Sequence, residues 1–193
     1  MLIIDWIRHT SLKVSGEICY GQTDMEVADT FDTEAEAVKA IVASRAYDAV
    51  YTSPLTRAAK LCEACGLGDR AIRDPRIMER NFGAWELKTW AEIEELTKSD
   101  TPGGKYLDHL GQIAPPMGES VCDLIERVTD FIEDVRTQRL RRVAVFCHGG
   151  VINSARHLQG LIALDRLFME VPAYGSITEL TYAYSDGRCI KIG

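Results

Sequence analysis

Apolar positions along the chain follow two rhythms. Unbroken runs at Leu2 to Ile7 and Arg142 to Cys147 end abruptly in polar groups, Arg8-His9-Thr10 in the first case and His148-Gly149-Gly150 in the second. Such runs predict buried strands that deliver polar side chains at their C-terminal ends. Asp48 to Thr52, rich in strand formers, and Ala71 to Asp74 predict two more strands. Between the runs the spacing becomes helical. Glu34 to Arg45 aligns Ala37, Val38, Ile41 and Val42 on one face, with Asp32 or Thr33 as cap. Ser53 as cap and Pro54 at the first helical position predict a helix to about Cys65, stopped by Gly66. A short helix is expected from Lys88 to Leu96. A long one is expected from Glu119 to Gln138, where Val121, Leu124, Ile125, Val128, Phe131, Ile132 and Val135 recur at helical intervals, and another from Val151 to Ile162.

The residues from Thr97 to Met117 include Pro102, Gly103, Gly104, Gly111, Pro115 and Pro116, breakers that predict a long loop over one face of the protein. Ser176 to Tyr184 and Arg188 to Ile192, joined by Ser185-Asp186-Gly187, predict a closing hairpin. Strands alternating with helices imply crossover connections, hence a mostly parallel sheet covered on both faces. The expected architecture is a three-layer α/β/α sandwich, and a length of 193 residues suits one domain spanning 1–193. In such folds ligands bind beyond the carboxyl ends of the strands.

Composition narrows the function. Apolar residues at 46% and charged residues at 26% are those of a soluble globular chain. No run approaches the ~20 apolar residues of a membrane span, and the N-terminal segment lacks the layout of a secretory signal, so a cytoplasmic protein is expected. In that compartment the six cysteines are expected as free thiols. The only C-x-x-C pair, Cys62 and Cys65, falls inside a helical pattern rather than at a helix start, so it reads as core filler rather than a redox motif. A net charge of −7 argues against nucleic acid and anionic membranes as partners, whereas a homo-oligomer is compatible with it. An anionic small molecule must therefore meet locally placed arginines.

Topology brings those arginines together. Arg8-His9 ends one strand, Ser53-Pro54-Leu55-Thr56-Arg57 follows another, and His148 ends a third. Two arginine forks and the first-turn amides of two helices make a phosphate site. The chain carries no P-loop, no H-E-x-x-H and no acidic cluster at metal-ligand spacing, so neither metal nor cofactor is expected. Histidine remains as nucleophile: His9 attacks phosphorus, while Arg8, Arg57 and His148 stabilise the equatorial oxygens. Glu79, in an aperiodic segment after the third strand, is the candidate acid that protonates the leaving group. Taken singly, Arg57 and Glu79 would read as surface residues, and His109 and His157 are given no role; the joint placement is what selects the set.

Arg8-His9-Thr10, Ser53-Pro54-Leu55-Thr56-Arg57-Ala58, Glu79 within Met78-Glu79-Arg80-Asn81-Phe82-Gly83, Gly118-Glu119-Ser120 and His148-Gly149-Gly150 together resemble the histidine phosphatase, or phosphoglycerate-mutase-like, superfamily. The resemblance runs from about Leu2 to about Leu161. It implies a phosphoglycerate-mutase-like fold with His9 as the phosphorylated residue, Arg8, Arg57 and His148 as phosphoryl-holding residues and Glu79 as proton donor. It further implies substrate-binding positions at Ser15, Gln22, Thr23 and Gly149. Within the superfamily, Cys19-Tyr20-Gly21-Gln22-Thr23-Asp24 and Phe82-Gly83-Ala84-Trp85-Glu86 are most similar to the alpha-ribazole phosphatases, which implies alpha-ribazole 5′-phosphate, a cobalamin precursor, as substrate. The chain departs from the pattern at Leu87 and Met117, where relatives tend to carry glycine, and at Tyr106, where they tend to carry tryptophan.

Three other functions compete with that expectation. A phosphoglycerate mutase would use the same histidine but return the phosphoryl group to substrate; Asn81-Phe82 and Gly150 stand where mutases resemble His-Tyr and Asn. A broad-specificity sugar phosphatase would share the chemistry with a different leaving group. A non-catalytic phospho-ligand-binding module would be expected to have lost part of a set that is complete here.

Overall fold

The computed structural model describes residues 1–98 and 114–185. Five strands, β1 (Leu2–Arg8), β2 (Ala49–Thr52), β3 (Ala71–Arg73), β4 (Arg142–Cys147) and β5 (Ile177–Tyr182), form one sheet in the order β3-β2-β4-β1-β5. The first four run parallel, and β5 lies antiparallel against β1. The α-helices among the described residues are α1 (Phe31–Ala43), α2 (Thr56–Ala64), α3 (Trp90–Lys98), α4 (Val121–Thr137) and α5 (Gly149–Leu158).

Strand alternation sorts the core into two layers. On β4, Val143, Val145 and Cys147 face α4 and α5 together with Leu2, Ile4 and Trp6 of β1, while Ala144 and Phe146 face α1 and α2 together with Ile7 and Val50. Trp6 meets Phe131 of α4 edge-on at 5.9 Å. This is the three-layer α/β sandwich that the alternating pattern requires, with helices on both faces of a mostly parallel sheet. The exception inside the first apolar run is Asp5, fully buried and held by Tyr47 at 2.7 Å, Arg45 at 2.7 Å and Arg142 at 2.8 Å. Pairing of this kind is what lets a carboxylate stay in a strand interior.

Several boundaries differ from the expected ones, each for a local reason. Helix α1 starts at Phe31, ahead of the expected Glu34, because the Thr30 carbonyl already accepts from Glu34 N–H. Its buried face is Ala35, Val38 and Val42, leaving Ala37 and Ile41 exposed. Helix α2 starts at Thr56, not Pro54. The Ser53 hydroxyl is taken by His148, and the Asp24 carboxylate caps the helix from a distant loop, accepting from Thr56 N–H and Oγ1 at 2.9 Å each. Helix α3 begins two residues late because Thr89 and Glu92 cap it reciprocally. Ser120 and Asp123 close a capping box on α4, whose expected apolar face is buried apart from a half-buried Ile125. Cys62 and Cys65 lie in the α2 core layer, where burial pushes their thiols up to about 12 and about 11. The second arm of the expected closing hairpin lies outside the described residues, as do positions 99–113 of the expected long loop; Thr97 belongs to α3 and 116–117 form a turn.

Candidate active site

Three parallel strand ends set the site. The register of β1 against β4 pairs Arg8 with Cys147, so the next residues, His9 and His148, emerge side by side with ring centroids 5.3 Å apart. His9 N–H donates to the Cys147 carbonyl at 3.1 Å, and Ser53 N–H, just past β2, to the Phe146 carbonyl at 2.9 Å. Backbone hydrogen bonds thus fix three side chains before any of them makes a contact of its own.

Both imidazoles are buried. Burial and then Arg57 hold each of them well below the usual histidine range, so both are neutral at neutral pH. His9 Nδ1 lies 2.8 Å from the Thr10 carbonyl oxygen. A carbonyl only accepts, so Nδ1 carries the proton and Nε2 the free lone pair. His148 is engaged through the other nitrogen: its Nε2 lies 2.7 Å from Ser53 Oγ.

The arginines are held by backbone carbonyls. Arg57, fully buried, donates from Nη1 to the Thr23 carbonyl at 3.0 Å and from Nη2 to the Gly21 carbonyl at 2.6 Å. Arg8 donates from Nη1 to the Pro172 carbonyl and stacks 3.9 Å over the Tyr174 ring. Among the described residues, Arg8 Nε, Arg57 Nε and His148 Nδ1 are buried nitrogens without a hydrogen-bond partner. An acceptor-rich anion supplies what such groups need, since a buried donor left unsatisfied costs about 1–3 kcal/mol.

Glu79 sits half-buried at the same edge, after the 3₁₀ turn Pro75–Ile77. Its Oε2 accepts from Gly150 N–H, in the first turn of α5, at 3.1 Å, and its Oε1 accepts from Arg80 N–H at 2.8 Å. Gly150 allows this seat, because a β-carbon there would collide with the Glu79 carboxylate. Arg127 fixes the loop from behind, donating to the carbonyls of Arg76, Met78 and Glu79.

The expected substrate-side residues divide. Gly149 lies against Arg8, with Val171 so close that a β-carbon would clash. Gln22 and Thr23 are part of the scaffold that holds the charged groups: Gln22 Nε2 donates to the Glu79 carbonyl at 2.9 Å, and the Thr23 carbonyl holds Arg57. Their backbone N–H groups donate to Glu86 at 2.9 and 2.8 Å. Ser15 is exposed, and its hydroxyl accepts from Glu17 N–H within its own turn at 3.2 Å. Leu87 and Met117, the departures at expected glycines, both adopt left-handed backbone, at φ 69° and 60°. The pattern expects glycine there because the backbone conformation favours it.

Sequence reasoning missed the segment 171–176. Gly175 N–H donates to the His9 carbonyl and the Ser176 carbonyl accepts from Arg8 N–H, both at 3.0 Å, so this segment clasps the Arg8-His9 turn. Tyr174 lies 5.4 Å from the His9 ring, and its hydroxyl reaches that of Tyr20 at 3.2 Å, while Tyr20 lies under Arg57 at 5.2 Å. The segment has no periodicity that would single it out. Ser53 was visible, but as a helix cap.

The sequence profile of the histidine phosphatase superfamily (branch 1) matches residues 5–193. A 2,3-bisphosphoglycerate-dependent phosphoglycerate mutase of Azorhizobium caulinodans is 33% identical over 166 residues, which cover 78% of this chain and 74% of the mutase. A mycobacterial glucosyl-3-phosphoglycerate phosphatase superposes with a TM-score of 0.77 at 24% identity, over 92% of this chain and 88% of that one. A protein of Escherichia coli, provisionally assigned as an alpha-ribazole-5′-P phosphatase, gives a TM-score of 0.79 at 18% identity, over 92% and 89% of the two chains. Among the described residues no helix is long and apolar enough to cross a membrane.

Proposed function

Since the chain belongs to the histidine phosphatase superfamily, whose members act as phosphatases or mutases, we propose that it is a phosphomonoesterase working through phosphohistidine at His9. The observation that carries this reading is the contrast at the strand ends. One neutral imidazole has its Nε2 lone pair free, and at the same strand edge buried nitrogens of Arg8, Arg57 and His148 lack partners among the described residues. In the first step the Nε2 lone pair of His9 forms the N–P bond, the ester P–O bond breaks, and the leaving oxygen takes a proton from Glu79. In the second step water attacks phosphorus, its proton passes to Glu79, the N–P bond breaks and phosphate leaves. Charge spread over the three equatorial oxygens is met by the two arginines and His148.

The substrate we propose is a small phosphorylated metabolite, with alpha-ribazole 5′-phosphate the first choice. Support comes from the two motifs similar to the alpha-ribazole phosphatases, which form one unit in the fold. The Glu86 carboxylate accepts from the N–H groups of Gln22, Thr23 and Phe82, and Cys19 packs with Phe82 and Trp85. A release assay across phosphomonoesters, with that compound and sugar phosphates included, tests the choice. The reaction is expected to run in excess chelator, because arginines supply the positive charge. Turnover lost in EDTA and restored by a divalent ion contradicts this.

The identity with the A. caulinodans mutase favours a second reading, in which the phosphoryl group returns to substrate. Asn81-Phe82 and Gly150, which stand where mutases resemble His-Tyr and Asn, support hydrolysis over that reading. The two separate cleanly if phosphorylated protein is isolated and followed. Discharge by water alone supports hydrolysis, and discharge only with 3-phosphoglycerate supports the mutase.

A further inference from the structure

We propose that Ser53 is a positioning residue that fixes the tautomer of His148, holding the imidazole proton on Nδ1 and so presenting an N–H donor to the phosphoryl group. The inference rests on the reading of His148 as a phosphoryl-holding residue and names what makes it one.

The argument is a count of protons. Ser53 Oγ has one proton to give and two positions to accept with. One acceptor position is filled by Leu55 N–H at 3.2 Å. The remaining contact is His148 Nε2 at 2.7 Å. If Nε2 carried the imidazole proton, Ser53 would accept twice and its own hydroxyl proton would lack an acceptor among the described residues, inside a fully buried residue. If Ser53 instead donates to Nε2, the hydroxyl and Nε2 are both satisfied and the imidazole proton must sit on Nδ1. Nδ1 is also the ring nitrogen left without a protein partner. Burial and Arg57 keep the ring neutral, so it has only one proton to place.

The outcome suits the ligand. Ionised phosphoryl oxygens accept and do not donate, so an Nδ1 lone pair would repel them and an Nδ1–H attracts them. Ser53 is itself anchored by strand geometry, its N–H on the Phe146 carbonyl. The residue two places before His148 therefore holds the serine that orients His148.

The resting protein decides the tautomer directly. Heteronuclear NMR of histidine ring nitrogens, with His148 assigned by comparison with His148→Ala, should show a neutral ring protonated at Nδ1, and an Nε2-protonated ring would overturn the proposal. Kinetics give a second, independent reading. Ser53→Ala should lower kcat on the order of 10- to 100-fold with a smaller change in KM, and should add less than about twofold when made on His148→Ala. Full multiplication of the two losses would overturn the proposal, because a merely structural serine acts whether or not His148 is present. Full turnover in His148→Ala would instead overturn the reading of the site, with the tautomer of the resting protein still decided by NMR.

Discussion

The ends of β1 and β4 look alike and differ in what they offer. Each is a largely buried strand, parallel to the other, with a histidine as the next residue, and the two rings lie 5.3 Å apart in one environment, both neutral through burial and Arg57. A backbone carbonyl holds Nδ1 of His9, whereas a serine hydroxyl holds Nε2 of His148. The free nitrogen of the first is a lone pair suited to attack, and that of the second is suited to donate. Position in the sheet makes a histidine available, and the group holding its far nitrogen decides its task.

The largest effect should fall on the attacking end. His9→Ala is expected to remove turnover by about four powers of ten or more, while His148→Ala should cost about two to three, since a pocket donor tunes a barrier and does not make the bond. Steady-state rates on an aryl phosphate measure both, and equal losses would erase the distinction. Glu79→Gln sharpens the comparison from outside the pair. It should slow alkyl phosphates on the order of 10²-fold and aryl phosphates little, because a phenolate leaves without a proton. Equal losses on both classes would take Glu79 out of the acid role.

A subtler test uses what the two ends share. Free histidine titrates near ~6.5, and both rings sit well below that value when folded. Below pH ~6.5 the unfolded chain therefore binds protons that the folded chain refuses, and each histidine should lower stability by up to about 1.4 kcal/mol per pH unit as pH falls toward its folded value. Urea unfolding at several pH values should show this slope, with His148→Asn removing its share. A slope that survives the loss of both histidines would assign it elsewhere.

How far the sequence disclosed this site follows from what each feature depends on. Strand β4 was read to the residue because burial on both faces leaves an apolar run that polar groups cut off sharply. The joint placement of Arg8, His9, Arg57 and His148 followed from topology alone, because parallel strands put their carboxyl ends on one edge. Features that rest on distant partners were not legible. Nothing in Ser53-Pro54 says that the hydroxyl turns to His148 rather than capping α2, and nothing near Thr56 says that Asp24 does the capping. The face of α1 was misread because Ala35 and Ala37 are alike in sequence and only packing on the sheet separates them. The clasp at 171–176 acts through backbone groups, which leave no signature in residue type.

The smallest effect belongs to a site away from both histidines. Met117 holds a φ of 60° and is 85% exposed, so Met117→Gly gives up little packing and relieves left-handed strain. It should raise stability by about 0.5–1 kcal/mol, or a melting midpoint by about 1–3 °C, with turnover unchanged. A lower midpoint would show that the methionine side chain contributes more than its backbone costs.

Trapping the covalent state decides whether His9 or His148 carries the phosphoryl group. Protein mixed briefly with a labelled phosphomonoester and quenched in alkali, where a phosphoramidate persists, should hold label on the peptide containing Arg8-His9-Thr10. His9→Ala should hold none, and His148→Ala should still hold some. Label on the peptide containing His148-Gly149-Gly150, or labelling that survives His9→Ala, would contradict the account of the two strand ends.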